Sequence, residues 1–137
     1  MKPHILLRAY MAGVVVPTVF LLFVFAVFCV VRLAYNPDLP LERVLVFPLA
    51  LVPAIWGGWN MVYVALRGRR RLPLGLHGAL VPAVLAPLAL VASHAFGLGF
   101  PGTLAGGIAV VVPPLMAIYY LFWKYFVGFL NDLLEIA

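Results

Sequence analysis

Charge is what this sequence most lacks. Only 9% of its 137 residues are Asp, Glu, Lys or Arg, where an ordinary soluble domain carries about 25%. The hydrophobic fraction is 66%, and a soluble fold this small has too much surface for its volume to hide that much apolar area. There is one cysteine, Cys29, which excludes an internal disulfide. Its place in a long apolar run marks it as a buried, inert thiol. Paired carboxylates, HExxH, GxSxG and a phosphate-binding glycine loop are all missing. The sequence therefore points to no enzyme, no cofactor and no metal site.

The few charges are unevenly spaced, and the gaps carry the fold. Residues 9–31 and 44–66 are each 23 residues without a charge, and 72–123 are 52. Crossing about 30 Å of hydrocarbon takes roughly 20 apolar residues. Each shorter gap holds one helix. The longest holds two, joined at Gly97-Leu98-Gly99-Phe100-Pro101-Gly102, a run of turn residues. The expected fold is all-α: a four-transmembrane-helix bundle, one domain over 1–137, with helices near 9–31, 44–66, 74–96 and 104–124. Lys2 and Arg8 resemble a signal-peptide n-region, but the apolar run after them exceeds the about 7–15 residues of a signal core. A retained helix is expected.

Orientation follows from the Lys/Arg bias. Arg67, Arg69, Arg70 and Arg71 crowd the connection between the second and third helices, Lys2 and Arg8 precede the first, and Lys124 follows the fourth. Four crossings put these three regions on one side, and the positive-inside rule makes that side cytoplasmic, N-in and C-in. The net charge of +5 then reflects membrane orientation rather than nucleic-acid binding. The expected partners are the lipid bilayer, anionic headgroups at the four arginines, and either a second copy or another membrane protein. The expected location is a bacterial inner membrane.

Several features stand out within the apolar segments. Every helix contains proline: Pro17, Pro53, Pro82 with Pro87, and Pro113 with Pro114. Each removes a helical N–H and loosens a carbonyl four residues earlier, at Gly13, Leu49, Gly78, Ala83, Ala109 and Val110. Small residues recur every four positions, as Ala50, Ala54 and Gly58 and as Gly75, Ala79 and Ala83. Such stripes let backbones approach, and the simplest expectation is a seam between helices 2 and 3.

Asn60 is the only carboxamide inside a span, and Pro53, Trp56 and Gly57 share its helical face. Tyr119 and Tyr120 are expected at a similar depth. An interhelical hydrogen bond from Asn60 to a tyrosine or a loosened carbonyl would be worth about 0.6 kcal/mol. The sharper reading is a ligand-binding pocket of Trp56, Asn60, Tyr119 and Tyr120, with His94 as a further ionisable group near the outer end of helix 3. His77 and His94 are too far apart along one helix to share a metal: 17 residues rise roughly 25 Å. Trp123, Lys124, Tyr125 and Phe126 form an inner aromatic belt.

In the last segment, 125–137, the 3.6-residue period sets Phe126, Phe129, Leu130, Leu133, Leu134 and Ala137 against a polar face of Lys124, Asn131, Asp132 and Glu135. It reads either as an amphipathic surface helix or as a helix end packed on its own bundle. A passive or facilitative transporter for a small solute, built as a homo-oligomer, is the leading functional expectation. A non-catalytic accessory or anchoring subunit is the alternative, and a lipid-handling enzyme ranks below both.

Overall fold

A computed structural model describes residues 4–35, 47–67, 72–95 and 103–136. Side chains at 47–50, 88–90, 92–95, 103–106 and 108 lie outside that description. Among the described residues the chain is all helical, with no strand: α1 (Ile5–Tyr35), α2 (Phe47–Leu66), α3 (Leu74–Ala95) and α4 (Thr103–Phe122). A π-helical turn, Trp123–Val127, carries α4 directly into a short α5, Gly128–Leu133. Helix starts follow from local chemistry. The His4 carbonyl accepts the first bond of α1 from Arg8 N at 3.0 Å. The carbonyl of Pro73 does the same for His77 N, proline being preorganised for a helix entry.

Two helical stretches, Ile5–Tyr35 and Ala109–Leu133, are long and apolar enough to cross a membrane. Leu51–Leu66 and Leu74–Pro87 are shorter apolar helical stretches. The apolar side chains of α1 point largely outward. From Val19 to Leu33, bulky residues such as Phe20, Phe23, Val30 and Leu33 are exposed.

The chain forms two compact units, Met1–Leu66 with Leu130–Ala137, and Arg67–Phe129. In the first, α1 and α2 run antiparallel: Gly13 lies on Trp56, Tyr10 on Gly57, and Ala9 on Asn60. The approach at Gly13 is close enough to require glycine. A Cβ there would sit 2.6 Å from the Trp56 carbonyl oxygen and 2.8 Å from the Gly57 Cα, and backbone atoms cannot swing away. The Pro53, Trp56, Gly57 and Asn60 face of α2 is buried throughout.

In the second unit α3 packs on α4 and the π-helical turn. Gly78 makes the closest approach: a Cβ there would enter the Trp123 side chain, which is fully buried. His77 meets the same indole edge-on, with ring centroids 6.0 Å apart at 67°. In both units the closest contact therefore falls on a glycine four residues before a buried proline, Gly13 before Pro17 and Gly78 before Pro82. The proline loosens the helix at that carbonyl, and the absent side chain lets another helix in.

These seams lie within the two units, whereas the expected pairing of helices 2 and 3 would join one unit to the other. The backbones brought together are α1 with α2 and α3 with α4. Gly58 meets open space and Ala54 is exposed. Gly75 and Ala79 are buried, with Gly75 against Tyr120, and Ala83 is half-buried. Ala50 lies outside the described side chains. A spacing of four identifies a face on which backbones can approach, but it carries no information about which helix arrives.

Candidate functional site

The polar centre of the first unit is built by three elements. Near the start of α1, Ala9 presents its backbone carbonyl. Near the end of α2, Asn60 points into the unit, and α5 brings Asn131 to meet it. Asn60 Nδ2 donates to Ala9 O at 2.8 Å and to Asn131 Oδ1 at 2.8 Å. Asn131 Nδ2 donates back to Asn60 Oδ1 at 3.2 Å. The result is a closed, reciprocal amide pair with a third bond to the main chain. Asn60 is 0% exposed and Asn131 4%.

Both N–H hydrogens of Asn60 are thus committed within the chain. The interhelical bond expected of this residue is present, but its partners are Ala9 and Asn131, in place of a tyrosine or a proline-loosened carbonyl. Tyr119 and Tyr120 belong to the second unit, where Tyr120 packs on Gly75 and lies 5.8 Å from the Lys124 ammonium. Tyr125 takes the same ammonium at 5.1 Å, so the aromatic neighbours of Lys124 embrace its charge. Trp56 is buried, and its backbone carbonyl lies against Gly13. The side chain of His94 and all of Arg69, Arg70 and Arg71 fall outside the described residues, while Arg67 is exposed at the end of α2.

Asn131 was set on a polar outer face by the 3.6-residue period, beside Asp132 and Glu135. Lys124, Asp132 and Glu135 are exposed and Leu130 and Leu134 half-buried, as that period implies, but Asn131 departs from it. Asn131 is buried, while Phe126, Phe129 and Leu133 are exposed. Val127, Leu130, Asn131 and Leu134 still follow helical spacing, so the inward face is rotated to include Asn131. The buried residues run Trp123, Val127 and Asn131, at intervals of four.

What seats Asn131 is the end of the helix. Glu135 N donates to Asp132 O at 3.0 Å and Ile136 N to Asn131 O at 2.8 Å. Glu135 adopts a left-handed φ of 54°. This bond pattern is a Schellman cap. It turns Ile136 inward onto Ala9 and Ala12, with Ile5, Met61, Val64, Leu130 and Leu134 packed around them. Arg8 Nη1 reaches the Leu134 carbonyl at 3.5 Å, placing a cation at a helix C-terminus, where the macrodipole favours it. Asn131 therefore serves twice, with its carbonyl in the cap and its side chain in the amide pair.

Chemically this centre binds its own chain. Carboxamides are neither acids nor bases near neutral pH, and no nucleophile stands among the three partners. Among the described residues no group of three His, Cys, Asp or Glu side chains is placed to hold a metal. Comparison with protein-family models, with curated proteins and with solved structures finds no match.

Proposed function

We propose that this chain is a multi-pass membrane protein of the inner membrane, crossing four times with both ends in the cytoplasm, and acting without catalysis as an accessory or anchoring component of a membrane assembly. The observation that carries the non-catalytic role is the amide centre: Asn60, Asn131 and Ala9 engage one another. Polar groups placed in hydrocarbon at this cost usually serve either a ligand or the fold, and here their bonds go to the fold.

Four crossings draw support from length. α2 has 20 residues and α3 has 22, which at 1.5 Å per residue reach about 30 and 33 Å, the thickness of the hydrocarbon core. Contact between Arg8, at the start of the first helix, and Leu134, after the last, supports an even number of crossings. The outward apolar side chains of α1 suit lipid or a neighbouring apolar helix.

Passive conduction by a homo-oligomer is the second reading, and one observation favours it. Pro113 and Pro114 lie on an exposed stretch of α4 with Ala109 and Val110, whose carbonyls lose their helical donors to those prolines. In lipid such groups need a partner, and a second copy could supply it. Reconstitution into liposomes separates the two readings. Solute flux from the purified chain alone would establish conduction. Its absence, together with a stable partner chain recovered after mild solubilisation, would establish the accessory role.

A further inference from the structure

We propose that Lys124, clasped between the rings of Tyr120 and Tyr125, binds the phosphodiester of an anionic phospholipid where the last crossing leaves the hydrocarbon. The inference rests on the reading of this chain as membrane-spanning and holds for either role within it.

The site begins with spacing. Lys124 ends the longest charge-free run of the chain, 72–123. From Thr103, where α4 starts, the helix rises about 32 Å to Lys124, close to the thickness of the hydrocarbon core. The ammonium therefore falls at the level of the headgroups, where aromatic residues gather. Tyr120 and Tyr125 are five positions apart, and on a regular α-helix that spacing sets side chains on different faces. The π-helical turn that starts at Trp123 has i→i+5 bonding, which brings such residues toward alignment. Both rings reach the ammonium, Tyr125 at 5.1 Å and Tyr120 at 5.8 Å from their centroids. The Tyr120 ring is set by α3: it lies over Gly75, where a Cβ would come within 2.7 Å of it. Trp123, fully buried against Gly78, anchors the turn that carries Lys124.

What the clasp lacks is an acceptor. Lys124 has three N–H donors and each tyrosine hydroxyl has one. Among the described residues the ammonium meets the two rings, and neither it nor the hydroxyls of Tyr120 and Tyr125 make a hydrogen bond or ion pair. Cation–π attraction steadies the charge but supplies no oxygen. A phosphodiester does, with one negative charge shared over two oxygens, and charge-assisted bonds of this kind are the strong ones. The rest of a lipid is accommodated as well. On the helical face of Lys124, Leu121 lies one turn back and Ala117 two, with Ile118 beside them, and all three are exposed. This apolar strip leads from the ammonium toward the bilayer centre, the path of an acyl chain. A soluble anion has no use for it.

The experiment counts lipids retained by the full chain, using native mass spectrometry after release from nanodiscs of phosphatidylglycerol and phosphatidylcholine in equal amounts. The unmodified chain should retain phosphatidylglycerol in preference. Lys124→Gln should weaken its tightest phosphatidylglycerol site about tenfold, the loss expected for one charge-assisted hydrogen bond. Lys124→Arg, which keeps a cation with several donors, should restore most of it. Tyr120→Phe combined with Tyr125→Phe keeps both rings and removes both hydroxyls, and should weaken the site about threefold with phosphatidylcholine retention unchanged. Phosphatidylglycerol retention in Lys124→Gln equal to that of the unmodified chain would overturn the proposal and leave the membrane reading intact. Equal loss of both lipids would also overturn it, because the lysine would then serve the fold alone. If Lys124→Gln does not fold, the tyrosine pair decides by the same comparison. A chain that fails to float with liposomes of the same composition would overturn the membrane reading and this proposal together.

Discussion

Asn60 and Asn131, 71 positions apart, hold one another by reciprocal amide hydrogen bonds in the interior of the first unit. Removing one member leaves the other buried with unmet donors and acceptors, which costs more than the bond itself. Asn60→Leu should therefore destabilise the protein by about 2 kcal/mol, more than one membrane hydrogen bond of about 0.6 kcal/mol. Changing both to leucine should recover part of the loss, giving a coupling of about 1 kcal/mol in a double-mutant cycle. Unfolding in mixed detergent micelles measures it, and strictly additive losses would show that the two amides act independently.

Glycine is required where a neighbouring helix lies against it, and Gly13 and Gly58 form a matched test. Gly13→Ala drives a methyl group into the Trp56 carbonyl and should cost about 2 kcal/mol or more, as overpacking does. Gly58→Ala meets open space and should be neutral or stabilise by up to about 1 kcal/mol through helix propensity. Thermal unfolding of the two variants side by side is the check. Equal melting would mean that α1 and α2 do not meet at Gly13.

Glu135 occupies a backbone conformation suited to glycine, at φ 54°. Glu135→Gly should stabilise the chain by about 1 kcal/mol by removing the left-handed strain. A loss of stability would show that the Glu135 side chain contributes more than the strain it causes.

Both termini and the 67–71 arginine segment should lie in the cytoplasm, from the distribution of Lys and Arg. Alkaline phosphatase and fluorescent-protein fusions after Ala137 and near Asn36 report the side directly. Phosphatase should be active only near Asn36, and fluorescence should appear only after Ala137. An active phosphatase after Ala137 would reverse the orientation.

Much of the site was legible in the sequence, and the remainder was hidden for identifiable reasons. Helical periodicity places Pro53, Trp56, Gly57 and Asn60 on one face, and that whole face is buried. A lone carboxamide in an apolar run has to find a partner, so Asn60 stood out without any structure. Asn131 did not, because its polarity groups it with Asp132 and Glu135, although helical spacing also sets it beside Val127, Leu130 and Leu134 on the inward face. The glycines were half legible. Gly13 and Gly78 could be named as sites of loosened carbonyls ahead of Pro17 and Pro82, and the closest contacts fall there. The recurrence of small residues every four positions drew attention to Gly58, which packs against nothing within 4 Å.

Composition and spacing alone determined that this chain is helical and poor in charge, where its long apolar stretches run, and which residues are too polar to be left unpaired there. These are properties of each segment on its own, set by rise per residue, side-chain chemistry and the cost of a bare backbone in an apolar medium. Which helix meets which, and which amide answers Asn60, was decided only by the tertiary structure. Those choices depend on where a helix bends and how its last turn closes. The π-helical turn and the left-handed Glu135 bring Asn131 within 2.8 Å of a side chain 71 residues away, and no local pattern encodes that distance.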